Sequence, residues 1–265
     1  MNTPLTVEQL RARQLRLLDL AVEHCESTGI RYYLCAGTLL GAVRHHGYVP
    51  WDDDIDLMMP RPDFEKFCAS FASSTAAAVS LRTHRSPGYV LPFAKVCDDT
   101  TRLDVESDIV RGLGVYIDVF PLDAWCASWW ARAIQAGTLK SLAHIMRIKH
   151  LSLNRNRSAL RNGVLSLGKF ALRWVGATWV CHGLERVAQL GRFANAPALG
   201  VLVWGYQERV RADAYGSPST VLFEGRTLAA PRDPDQVLRG LYGSYWELPD
   251  PKDRVSHHRF IAFET

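Results

Sequence analysis

The sequence predicts an α+β fold: a small mixed sheet carrying helices, a helical insertion from Ala124 to about Tyr206, and a loop-rich C-terminal region, all in one domain over residues 1–265. Three observations predict it. Short period-two runs such as "DIDLMMP" and "LGVYIDVFPLD" alternate with amphipathic helical runs in the first half. Residues 124–206 then read as helical, with Trp125, Trp129, Trp130, Trp174 and Trp179 among basic residues. From Arg209 onward, proline and glycine punctuate short elements, as in a wrap around a site.

Taken in order, Val7, Leu10, Gln14, Leu17, Leu18 and Ala21 trace one face of a first helix, with Thr6 as N-cap and Gly29 as stop. "IRYYLCAG" reads as a strand ending in glycine, and "GTLLGAVRHHG" as a turn and short helix. In "DIDLMMP", Ile55, Leu57 and Met59 share one strand face and Asp54, Asp56 and Met58 the other, and Pro60 ends the run. "RPDFEKFCASFASS" sets Phe64, Phe67 and Phe71 at helical spacing. "VSLRTH" and "YVLPFAKVCDD" read as strands. "LGVYIDVFPLD" puts Val115, Ile117 and Val119 on one face and Tyr116, Asp118 and Phe120 on the other.

A hydrophobic share of 48% with 22% charged residues is an ordinary globular balance. No apolar run reaches membrane-spanning length and the first residues lack a signal-peptide core, so a cytoplasmic location is expected, with peripheral attachment to the inner face of the membrane open to it. Six cysteines without a C-x-x-C pair read as free thiols. The net charge of +4 is split unevenly. Between Ala124 and Arg192 stand 11 Lys/Arg against one acid, Glu185, leaving 20 basic and 26 acidic residues elsewhere. Such a basic segment suits an anionic membrane surface; nucleic acid is not the expected partner.

Asp52, Asp53, Asp54 and Asp56 crowd into five positions between apolar clusters. Like charges at this spacing raise one another's pKa, and a cation relieves them. A solvated turn would account for Asp53. It would not account for Asp54 and Asp56, which share a strand face; Asp118 joins them if the two strands are neighbours. Carboxylates of this kind suit Mg²⁺ or Mn²⁺, whose shells are completed by substrate phosphates. Asp54, Asp56 and Asp118 are therefore the candidate metal ligands and catalytic acids. Gly37 and Thr38 open a helix after a strand, which offers N–H groups to a phosphate. With them, Gly41, Arg44, His46 and Trp51 form the candidate substrate-binding set. Lys95, a cation in an apolar strand, either pairs with an aspartate or meets substrate phosphate. A cationic substrate group would want an aromatic cage, for which Tyr48, Trp51, Tyr245 and Trp246 are available.

The run "YYLCAGTLLGAVRHHGYVPWDDDIDLMMPRPDFEKF", residues 32–67, resembles the signature of the LicD family, which is related to the fukutin and fukutin-related proteins. "AKVCDDTT", "YIDVFPLD" and "LYGSYWELPDPKDRVSHH" agree with it. The resemblance implies a nucleotidyltransferase-like fold with Gly37-Thr38 as its turn, Asp54-Ile55-Asp56 as its acid pair and Asp118 as the third metal ligand. It also implies transfer of a phosphate-bearing group, phosphocholine or ribitol phosphate, from a CDP-activated donor to a hydroxyl of a glycan or lipid-linked glycan, with CMP released. Asp118 is then the candidate for easing deprotonation of that hydroxyl. The alternative is a true nucleotidyltransferase that releases diphosphate. No cysteine cluster resembles the zinc site of the fukutin-related protein, so no zinc is carried over.

Overall fold

The computed structural model describes residues 3–74, 78–105, 112–151, 158–204, 208–254 and 260–265. Helix α1 (Val7–Thr28) starts in a capping box: the Thr6 hydroxyl accepts from the Gln9 N–H, and the Gln9 side chain accepts from the Thr6 N–H. It ends at Gly29, whose φ of 67° is left-handed. Leu10, Gln14, Leu17, Leu18 and Ala21 are buried, whereas Val7, at the first helical position, is exposed.

The first half continues as β1 (Tyr33–Leu34), α2 (Ala36–His45), β2 (Asp56–Pro60), α3 (Arg61–Ser74), β3 (Val79–Arg82), β4 (Ala94–Asp98), β5 (Thr101–Val105) and β6 (Tyr116–Ala124). The expected two-faced β2 is instead buried at every residue, because it lies centrally between β1 and β6. It starts at Asp56, so Asp54 lies just ahead of it, and Pro60 is its last residue, with α3 starting at the next.

Helices α4 (Trp129–His150), α5 (Ala159–Ala171) and α6 (Ala177–Ala188) occupy the segment expected to be a helical insertion. The helical expectation fails beyond them. Residues 198–200 form β7 (Ala198–Gly200), which pairs with Asp123–Ala124 of β6. Tertiary pairing decides this segment, since Trp125 donates its N–H to the Ala198 carbonyl at 3.0 Å. The remainder comprises β8 (Val210–Arg211), the hairpin β9 (Ser219–Phe223) and β10 (Arg226–Ala230), α7 (Pro234–Tyr242) and β11 (Phe260–Glu264), which pairs with β5. The hairpin turns at Glu224-Gly225, both at positive φ, the backbone of a type I′ turn.

The main sheet has seven strands, ordered β1-β2-β6-β4-β3, with β7 on β6 and β8 on β7. Its β2–β6 pair is parallel; the others are antiparallel. Where β2 passes into α3, Arg61 holds Asp123 of β6 through two hydrogen bonds of 2.8 and 2.6 Å, and Glu185 of α6 through one of 2.7 Å. This buried network ties the insertion to the sheet.

Candidate active site

Register brings the strand acids together. The parallel β2–β6 pairing sets Asp56 opposite Asp118, and the antiparallel β4–β6 pairing sets Lys95 opposite Asp118. Lys95 Nζ donates to Asp118 Oδ1 at 2.5 Å, and its ammonium lies 3.4 Å from the centre of the Tyr116 ring. Lys95 thus makes the aspartate pair that was one of its two candidate roles. Asp54, Asp56 and Asp118 line one cavity of about 210 Å³, into which Cys35 and Ala36 bring the N-terminus of α2.

The glycines and Thr38 build the site's frame. The Thr38 hydroxyl accepts from the Asp56 N–H at 2.8 Å, fixing the first residue of β2. A Cβ at Gly37 would collide with the Asp52 carboxylate, and one at Gly41 with the Gly47 carbonyl, so the acid loop lies directly on α2. Ala36 takes a left-handed φ of 45°, a strained backbone at the cavity wall. From the other side, Gln14 of α1 donates to the Asp53 carbonyl at 2.7 Å and Arg11 to the Asp52 carbonyl at 3.1 Å.

The electrostatics of this arrangement favour a cation. Burial raises the Asp56 carboxyl well above its ordinary range, and Asp54, Asp118 and Asp52 raise it further, with Lys95 offsetting them in part. Carboxylate oxygens of Asp52, Asp53 and Asp54 lie within 4.8 Å of one another. Asp53, which a solvated turn would explain, belongs to that half-buried group, while Asp56 and Asp118 stand deeper and outside it. Asp54 belongs both to this group and to the cavity wall, and oxygen donors so arranged fit a hard divalent ion.

Arg44, His46 and Trp51 do not line this cavity. Arg44 donates to His45 Nε2 at 2.9 Å and to the Tyr245 carbonyl at 2.8 Å. Its guanidinium is 6.0 Å from the Trp51 ring, with that of Arg254 at 5.7 Å. The exposed His46 ends α2 at φ 56°, and its carbonyl accepts from the Glu224 N–H. Nor do the proposed cage residues meet there: Tyr48 packs on Phe223, and Tyr245 beside Trp246.

Of the cavity's other wall, Phe120 was legible in the sequence, on the strand face of Asp118, and the rest was not. Phe120 and Trp204 pack 6.1 Å apart, each within 5.0 Å of Phe93, and Tyr215 and Glu208 complete the wall. Glu208 Oε2 accepts from the Val201 N–H at 2.9 Å, and burial raises its carboxyl above the ordinary range. Gly200 makes this approach possible, because a Cβ there would lie 2.5 Å from the Glu208 carbonyl.

Residues 29–128 match the family model described as "LicD/FKTN/FKRP, nucleotidyltransferase domain". The chain carries a LicD-family domain. It is 24% identical to the Haemophilus influenzae lipopolysaccharide cholinephosphotransferase LicD over 284 aligned residues, covering 96% of each chain. It is also 56% identical over 32 residues to the human ribitol 5-phosphate transferase FKRP, a match covering 12% of this chain and 6% of that protein. The LicD-family domain contains Asp54, Asp56, Lys95 and Asp118 and stops just before α4, whereas Trp204, Glu208 and Tyr215 come from beyond it.

Proposed function

We propose that this chain is a phosphotransferase moving a phosphate-bearing alcohol group, phosphocholine or a polyol phosphate, from a CDP-activated donor to a hydroxyl of a glycan or lipid-linked glycan. The observation that carries this reading is the meeting of Asp54, Asp56, Asp118 and Glu208 with the N-terminus of α2 in one cavity that reaches into a LicD-family domain. The α2 terminus and its dipole suit a donor phosphate. Asp54, Asp56 and Asp118 would hold Mg²⁺ or Mn²⁺. When bound, such an ion offsets the charge of the donor diphosphate and of departing CMP.

Phe120 and Trp204 form an aromatic wall for the transferred group. The acceptor oxygen bonds to the distal phosphorus, the bond from that phosphorus to the CMP oxygen breaks, and CMP leaves with the bonding electron pair. The acceptor proton passes to Glu208. That carboxyl is raised by burial and is better matched to the task than Asp118, one of whose oxygens is held by Lys95. Lys95 acts by positioning Asp118.

The test is product analysis with Mg²⁺, a glycan acceptor and CDP-choline, CDP-ribitol, CDP-glycerol or CDP-ethanolamine. CMP formed in step with acceptor modification supports the proposal. In a parallel reaction with CTP, release of diphosphate with the cytidylyl group retained on the acceptor would instead identify a nucleotidyltransferase.

A further inference from the structure

Helix α5 is turned inside out. Leu160, Val164 and Leu167 recur at i, i+4 and i+7, the spacing of a core-facing stripe. Yet these three, with Phe170 and Trp174, are 63–83% exposed. Among the described side chains of α5, Leu165 is the buried hydrophobic one, and Trp179 at the start of α6 is exposed as well. Scattered apolar side chains on a surface need no explanation; an ordered stripe of them marks an interaction site.

Basic groups border the stripe. Arg161 lies beside it and Arg173 beyond its C-terminal end, while Lys169 stands on the half-buried side of α5 and Arg147 lies in the last turn of α4. The Arg173 guanidinium is 4.0 Å from the centre of the Phe170 ring and 5.1 Å from that of Trp174. The acid of this segment, Glu185, is buried against Arg61 and adds no negative charge to the surface.

We infer that α5 and the turn to Trp174 are a docking surface for an anionic lipid bilayer. Leu160, Val164 and Leu167 would enter the headgroup boundary while the flanking cations meet lipid phosphates. A second copy of this chain would set one basic border against another. Nucleic acid would leave the aliphatic stripe without a partner, since bases stack on rings and planar guanidinium groups. Helix α4 packs against both α5 and the 3₁₀ turn 202–204 that carries Trp204, so docking here would set the cavity wall near the membrane. The inference does not depend on which group, if any, is transferred.

The experiment is flotation of the full chain with vesicles of phosphatidylcholine alone or with 30% phosphatidylglycerol, at low and high salt. Binding should require the anionic lipid and weaken as salt rises. The triple variant Arg147→Gln/Arg161→Gln/Arg173→Gln should bind on the order of a hundredfold less tightly. Leu160→Ser/Leu167→Ser should also lose binding, and Trp174→Ser serves as the single-site version should that pair unfold. Arg211→Gln/Arg239→Gln, remote in sequence and paired to their own aspartates, should bind like the parent. Charge-blind binding or no binding overturns the inference. So does a dimer in sedimentation velocity that Leu160→Ser/Leu167→Ser dissolves, or binding to native membranes that protease treatment of those membranes abolishes.

Discussion

Asp56 and Lys95 carry opposite burdens. Asp56 is a buried carboxylate among other carboxylates, and its charge costs folding energy that only a cation returns. Asp56→Asn should therefore abolish turnover yet raise the melting temperature of the metal-free protein by a few degrees, roughly 1 kcal/mol or more at this chain length. Most substitutions destabilise, so a lowered midpoint in metal-free buffer would count against the strained-acid account. Lys95→Ala does the reverse, leaving Asp118 buried without its ammonium. It should cost about 3–5 kcal/mol in chemical denaturation and lower turnover at least tenfold, whereas Lys140→Ala should be neutral. A Lys95→Ala protein as stable as the parent would remove the ion pair from the account. These two residues were legible in the sequence because a charge in an apolar strand is conspicuous. Glu208 was not: it reaches the cavity from a connection between short elements, where no periodicity sets its direction. The same holds for Trp204 in its 3₁₀ turn, and for the Arg61 network, whose partners stand 62 and 124 residues away.

At the scale of elements, α2 shows how four residues of spacing build a platform. Gly37 faces the acid loop and Gly41 the backbone of residues 47–49 that leads into it, so they meet different obstacles. The atom in the way at Gly37 is the movable end of the Asp52 side chain, and at Gly41 it is the backbone of Gly47 and Val49. Gly37→Ala should thus keep stability within about 1 kcal/mol while lowering turnover, and Gly41→Ala should cost about 1–3 kcal/mol or more by overpacking. Equal melting temperatures for the two variants would contradict this reading of the loop. Helix α1 was readable from cap, period and stop. The misread elements share a cause. Burial on both faces of β2 removed its alternation, and β7 is strand because β6 offers it an edge, which its own residues do not announce.

Across the whole molecule, the Arg61–Asp123–Glu185 network joins the acid-bearing sheet to the basic insertion, and it makes stability depend on pH. Burial raises Glu185 to about 7 from an ordinary 4.5, with Arg61 opposing. Between those values the folded chain holds more protons than the unfolded one, so stability should fall as pH rises through that window, by at most about 3 kcal/mol. Asp123, also raised by burial, acts in the same direction. Glu185→Gln should flatten the dependence and leave the protein more stable than the parent at pH 8. Urea midpoints from pH 5 to 8 give the answer, and an unchanged slope would exclude Glu185 as its source. The acid loop and the aromatic wall meet in one cavity, and the proposal that this cavity takes a metal-bound CDP donor has a direct test. The measurement is the thermal midpoint of the parent and of Asp54→Asn/Asp56→Asn with CDP-choline or CDP-ribitol, with and without Mg²⁺. Mass action predicts that donor and Mg²⁺ together raise the parent's midpoint more than the sum of their separate effects, and that the double variant loses this gain. A donor shift that ignores Mg²⁺, or one that survives in the double variant, would contradict it.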